Sequence, residues 1–124
     1  MTQYPDLDDV LLIVAEELPG CAVRDPYLLE SALGRPAATW DGSDLYLTLE
    51  LKAAALLESL ARNHALTDGN KRLALLALAW FLALNDRALD LSDPEAYELT
   101  MDAATAHLPV EDLAARISTR PLEL

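Results

Sequence analysis

Residues 63–84 read Asn63-His64-Ala65-Leu66-Thr67-Asp68-Gly69-Asn70-Lys71-Arg72-Leu73-Ala74-Leu75-Leu76-Ala77-Leu78-Ala79-Trp80-Phe81-Leu82-Ala83-Leu84. From Leu73 to Leu84 every side chain is apolar. A helix that is apolar nearly all round is a buried one, so this stretch predicts a central helix starting near Asn70. It is too short to span a bilayer. Gly69 breaks the helical run before it, and Asn85-Asp86 ends the run after it.

Helical patterning extends in both directions. Upstream, a long helix is expected from about Asp44 to Arg62, with Leu45, Leu49, Leu56 and Leu60 along one face. Before it, residues 35–43 contain Arg35, Pro36, Trp40, Asp41 and Gly42, the chemistry of a loop or short extended flap. A short helix opens at Asp25 with Pro26 in its first turn and ends at Gly34. The first helix is capped by Asp6, carries Leu7, Val10, Leu11, Val14 and Leu18, and stops at Pro19-Gly20. Downstream, Asp93-Pro94-Glu95 reads as cap, first-turn proline and first-turn acid for a helix to about Ala106. Pro109 separates it from a last short helix near 110–117. No strand-like alternation runs longer than a few residues. The expectation is all-α: one domain over residues 1–124, a compact bundle of about six helices around a buried central helix, with a short flap loop.

Composition narrows the function classes. The chain has 124 residues, 52% of them hydrophobic, enough for a core without staples. Cys21 is the single cysteine, so no internal disulfide is possible, and it reads as a small buried apolar side chain. The net charge of −12 argues against general nucleic-acid binding, which needs a basic surface, and makes a basic partner plausible. Asp6, Asp8 and Asp9 stand where a secretory signal would carry positive charge. A cytoplasmic protein without a membrane segment is expected.

Against that acidity, Arg62, Lys71 and Arg72 cluster around His64. A helix N-terminus already carries partial positive charge, so adjacent cations in its first turn make sense when a strong anion sits among them. Gly69 permits a positive φ or a close backbone approach. Asp68 adds a hard oxygen ligand of the kind magnesium takes together with substrate phosphates. His64, as a neutral imidazole, can accept a proton from an attacking hydroxyl. Proton acceptor, metal carboxylate and anion nest together describe a phosphoryl- or nucleotidyl-transfer site. A histidine-rich metallohydrolase centre is disfavoured, because the chain has only two histidines.

The segment His64-Ala65-Leu66-Thr67-Asp68-Gly69-Asn70-Lys71-Arg72 resembles the signature of the Fic/Doc superfamily, His-x-Phe-x-Asp/Glu-Gly-Asn-Gly/Lys-Arg. Lys71, where Fic enzymes have glycine, looks like the Doc branch. The strings from Val23 to Pro36 and from Leu60 to His64 are similar to Doc as well. The resemblance implies His64 as general base and Asp68 as magnesium ligand. It implies Gly69 and Asn70 as an anion-binding loop, and Lys71 and Arg72 as holders of nucleotide phosphates. It further implies a toxin that moves the terminal phosphate of ATP to a threonine of elongation factor Tu, stopping translation. An inhibitory helix of the Fic type is absent from the sequence, so the resemblance implies a Phd-like antitoxin acting in trans. The alternatives are adenylyl transfer of the Fic type, or a nucleotide- or antitoxin-binding module with little turnover.

Three positions depart from the pattern. Leu66 replaces the motif phenylalanine that anchors the loop in the core. Leu75 stands where Fic enzymes have a second arginine, which weakens the adenylyl-transfer reading. Leu76 replaces a polar residue of Doc.

Other polar and aromatic residues allow two readings. Arg62 is either a surface cation at a helix C-terminus or a nucleotide or target contact. Trp40 either covers the core or belongs to a flap that aligns a target peptide. Trp80 reads as core, His107 as a structural residue near a helix end, Arg24 and Asp25 as a local pair, and Thr105, Ser118 and Thr119 as polar surface.

Overall fold

A computed structural model describes residues 1–123. In chain order the elements are α1 (Leu7–Glu17), α2 (Pro26–Gly34), a 3-10 turn (Arg35–Ala37), β1 (Thr39–Trp40), β2 (Ser43–Asp44), α3 (Leu49–Arg62), α4 (Asn70–Leu84), β3 (Arg87–Leu89), α5 (Asp93–Thr105), α6 (Val110–Ala115) and β4 (Thr119–Pro121). The fold is helical, as expected, with six α-helices and two small strand pairs among the described residues.

Local chemistry sets the helix starts. Asp6 accepts from Asp9 N–H while the Asp9 carboxylate accepts from Asp6 N–H, a reciprocal capping box on α1. Asp25 accepts from Tyr27 N–H at the head of α2, and Thr48 accepts from Leu51 N–H at the head of α3. The cap of α5 is Ser92, one residue before the expected Asp93, because Glu95 reaches back to Ser92 N–H from the third helical position. That backbone N–H, with the Ser92 hydroxyl, holds the Glu95 carboxyl below its ordinary pKa.

Helices α3 and α4 form the centre. α3 buries Ala53, Ala54, Ala55, Leu56, Leu57, Leu60 and Ala61, together with Lys52. It touches α2, α4, α5 and α6. α4 buries Leu73, Ala74, Ala77, Leu78, Phe81 and Leu82. These positions recur at one helical face, which leaves Ala79 and Trp80 on the opposite side. Trp80 is therefore 42% exposed rather than a core residue, a correction to the sequence reading. Tyr4 stacks on Phe81 with ring centroids 5.8 Å apart, closing the core from the N-terminal side.

Two further expectations are corrected. The long third helix begins at Leu49, not Asp44, and Leu45 is exposed rather than packed along its face. Asp44 instead belongs to β2, which pairs antiparallel with β1 through Thr39↔Asp44 and Trp40↔Ser43. Asp41 and Gly42 between them have φ of 52° and 80°, the left-handed pair of a tight hairpin turn. The flap is thus a hairpin. A second pair, β3 with β4, ties the segment after α4 to the chain end through Arg87↔Pro121, Ala88↔Arg120 and Leu89↔Thr119. Thr119 is part of this pairing and accepts from the Arg87 guanidinium. Among the described residues no helix is long and apolar enough to cross a membrane.

Candidate active site

The loop between α3 and α4 is held in shape from three directions. Its backbone pairs with residues 22–25. Arg24 N–H and Asp25 N–H both donate to the Ala65 carbonyl, and Thr67 N–H donates to the Ala22 carbonyl. Val23 and Leu66 form an isolated antiparallel bridge. Leu66 is 2% exposed, so leucine does serve as the loop's anchor in the core.

The second hold is Asn70. Its Oδ1 accepts from Leu66 N–H at 2.9 Å, and its Nδ2 donates to the Leu66 carbonyl at 3.0 Å. The side chain therefore shapes the loop, and what it leaves for an anion is its backbone N–H. The third hold is Arg24, whose guanidinium donates through Nε and Nη2 to the His64 carbonyl. Arg24 and Asp25 do not form the local pair expected from sequence: Asp25 caps α2 while Arg24 crosses to the loop. His64 itself sits at φ 55°, a left-handed conformation rare for a residue with a side chain. The clamp on its carbonyl helps to keep it there.

These constraints gather the expected groups. A cavity of about 330 Å³ is lined by Ala61, His64, Thr67, Asp68, Gly69, Asn70, Lys71 and Arg72. His64, Asp68, Lys71 and Arg72 are all exposed, so none is sealed from a ligand. Gly69 stands at φ 85° as the N-cap of α4, and no side chain caps that helix. The first-turn N–H groups of α4 thus remain available to an anion. Asp68 Oδ1 accepts from Gly69 N–H at 2.8 Å, which fixes one carboxylate oxygen and leaves the other free. Among the described residues no three His, Cys, Asp or Glu side chains cluster to hold a metal. A divalent ion here would take Asp68 and draw its remaining ligands from water and bound phosphate.

The sequence pattern of the Fic/DOC family matches residues 4–82, which include His64 and the whole loop. The chain belongs to the Fic/DOC family. It is also similar to Toxin Doc of Mycolicibacterium smegmatis (strain ATCC 700084 / mc(2)155), with 45% identity over 121 residues, covering 95% of this chain and 93% of that protein.

Within this Fic/DOC fold, two expected contacts lie away from the cavity. Arg62 donates to the Ala106 carbonyl at 3.1 Å and meets His107 Nδ1 at 3.2 Å, so its guanidinium ties α3 to the end of α5. His107 accordingly has the structural part expected of it. Trp40 lies on the flap hairpin, 77% exposed, and does not cover the core.

Two residues at the site were missed as participants. One is Arg24, whose reach to His64 spans 40 positions of sequence and leaves no local signal. The other is Cys21, which is half-buried beside the loop. Its Sγ lies 2.9 Å from where a Cβ on Gly69 would stand, and Arg72 Nη2 reaches the same sulfur at 3.6 Å.

The flap is anchored by Lys52. Its side chain is 4% exposed, and Nζ donates to Asp44 Oδ2 at 3.0 Å and to the Tyr46 carbonyl at 2.6 Å. Burial lowers the pKa of this ammonium, but its interactions with Asp44 and Tyr4 outweigh that and leave it above the ordinary lysine value. Arg35 adds a second anchor, donating to the Tyr46 hydroxyl, Glu58 and Ser59.

Proposed function

We propose that this protein is a toxin that transfers the terminal phosphate of ATP to a threonine hydroxyl of a translation factor, elongation factor Tu, and so inhibits translation in the cytoplasm. The observation that carries the reading is that His64 lines the same cavity as Asp68, Lys71, Arg72 and the uncapped N-terminus of α4. The membership in the Fic/DOC family and the similarity to Toxin Doc support it.

Each group has a part. The first-turn N–H groups of α4 and the two cations hold the phosphate chain in line. Asp68 would hold magnesium, which supplies positive charge against the phosphate oxygens when bound. His64 takes the proton of the target hydroxyl as that oxygen bonds the terminal phosphorus. The bond from phosphorus to the bridging oxygen breaks, and the nucleoside diphosphate leaves. The exposed flap, with Trp40 near its tip, presents an edge along which a target peptide can lie. Inhibition falls to a Phd-like antitoxin acting in trans.

Incubation with elongation factor Tu and ATP labelled at the gamma or the alpha phosphate tests the proposal. Label transferred from the gamma position, and lost in His64→Ala, is the expected result. Label from the alpha position would establish adenylyl transfer instead. A His64→Ala variant as toxic to cells as the parent would mean that the chain acts by binding alone.

A further inference from the structure

The segment ahead of α1 clasps the far end of α4. Gln3 N–H donates to Asn85 Oδ1 at 2.8 Å, and Asn85 Nδ2 donates back to the Gln3 carbonyl at 2.9 Å. Asn85 is the C-cap of α4, and its Nδ2 also donates to the Phe81 carbonyl at 2.8 Å. The next residue, Tyr4, is half-buried and lays its ring on Phe81. Lys52 Nζ stands 6.0 Å from the centroid of the same ring, within reach of a cation–ring attraction. An ammonium has three N–H groups, and two of these go to Asp44 and the Tyr46 carbonyl. Tyr4 is the other side chain that favours the charged form of Lys52. One ring therefore bears on two elements: the helix whose first turn faces the loop cavity, and the cation that secures the flap. The flap depends on such anchors. All four residues of β1 and β2 are exposed, so the hairpin has no core of its own.

We propose that Tyr4 is a positioning residue for the transfer reaction. Its ring, which meets both Phe81 and Lys52, fixes the flap relative to α4, and with it the distance between the target hydroxyl and the phosphates. The role rests on the transfer reading above, and it adds the residue that registers one substrate's support against the other's. Tyr4 lines no part of the loop cavity, so it acts through Lys52 rather than on the reacting atoms. The physical reason is the freedom of a lysine stem. Its four carbons give Nζ several positions, and an ammonium bonded only to an exposed hairpin moves with that hairpin. A ring held against α4 gives Nζ a fixed partner, so the flap inherits the rigidity of the core. Group transfer is sensitive to such registration, because a displacement of about 1 Å between reacting groups can cost about a hundredfold in rate.

The test has two readouts on the full chain, taken below the melting temperature of every variant. Time-resolved anisotropy of Trp40, in a Trp80→Phe background where it is the sole tryptophan, reads the motion of the flap. Labelling of elongation factor Tu from gamma-labelled ATP gives KM for each substrate. Tyr4→Leu should free Trp40 and raise KM for the protein target about two- to thirtyfold, the range of a lost cation–ring contact. KM for ATP should stay at the parent value, since the first turn of α4 is untouched. Tyr4→Phe keeps the ring and should match the parent in both readouts. In a Lys52→Met background, Tyr4→Leu should add nothing to either. A residue that only packs the core would lower the melting temperature in both backgrounds and leave Trp40 and the target's KM unchanged. That result, with transfer by the parent intact, would overturn the proposal alone. Absence of transfer by the parent would overturn the transfer reading, and the part of Tyr4 in catalysis with it.

Discussion

The side chain of Asn70 closes on the backbone of Leu66 from both sides, taking its N–H at 2.9 Å and giving to its carbonyl at 3.0 Å. A residue at the first position of α4 thereby sets the shape of the loop before it. Leu66 is buried, so neither of its backbone groups could turn to water if Asn70 were lost. Asn70→Ala is expected to cost about 1–3 kcal/mol of stability, the range for leaving buried groups unpaired. Asn70→Asp keeps the acceptor and loses the donor, so it should fall between. Urea unfolding of the three proteins measures this, and an unchanged midpoint for Asn70→Ala would mean that the clasp contributes nothing to the fold.

Gly69 is constrained twice. Its φ of 85° disfavours any L side chain, and a Cβ there would stand 2.9 Å from Cys21 Sγ. Gly69→Ala should destabilise the protein by about 1–3 kcal/mol. Adding Cys21→Ala relieves the steric part and not the backbone part. The double variant is therefore expected to recover some of the loss beyond the sum of the single changes, as read in a double-mutant cycle. Strict additivity would show that sulfur and loop do not meet.

Arg24 touches no reacting atom in the proposed reaction; it holds the carbonyl of His64. It is a positioning residue. His64→Ala should lower the transfer rate by about 10²- to 10⁴-fold with little change in melting temperature, because the side chain is exposed. Arg24→Ala should lower kcat by less and destabilise the fold. Its KM for nucleotide should stay near the parent's, since the α4 N-terminus is untouched. A rise in KM with kcat unchanged would place Arg24 in nucleotide binding instead.

Lys52 ties the flap to α3 through Asp44, and the pairing raises its pKa. A group whose folded pKa is raised stabilises fully below its unfolded pKa, about 10.4 for lysine, and loses that contribution as pH climbs through the folded value. The gap between thermal melts of parent and Lys52→Met should therefore narrow as pH rises above the ordinary lysine value. Asp44 is half-exposed, so the difference near neutrality should be modest, about 1 kcal/mol. A constant gap between the two proteins across the alkaline range would rule out the charge pairing as its source.

Much of the site was legible because its signal is local. His64, Asp68, Gly69, Lys71 and Arg72 occupy neighbouring positions, and a helix end, a glycine and a helix start suffice to place them around one bend. The Asp-Gly turn of the flap was also present in the sequence, yet its strands are two residues each, too short for alternation to show. Trp80 was misplaced because an all-apolar helix carries no periodicity from which to tell its solvent face.

The sequence by itself determined that the chain is helical, where most helices begin, and that one bend carries a histidine, a carboxylate and a cationic helix start. Those outcomes depend on contacts within a few residues, which spacing and capping chemistry reveal. The tertiary structure alone decided that Arg24 holds His64, that Cys21 lies under Gly69, that Lys52 secures the flap, and that Tyr4 meets both Phe81 and Lys52. Each of these joins residues distant in the chain, and such pairings exist only after burial of the α3–α4 centre has brought the segments together.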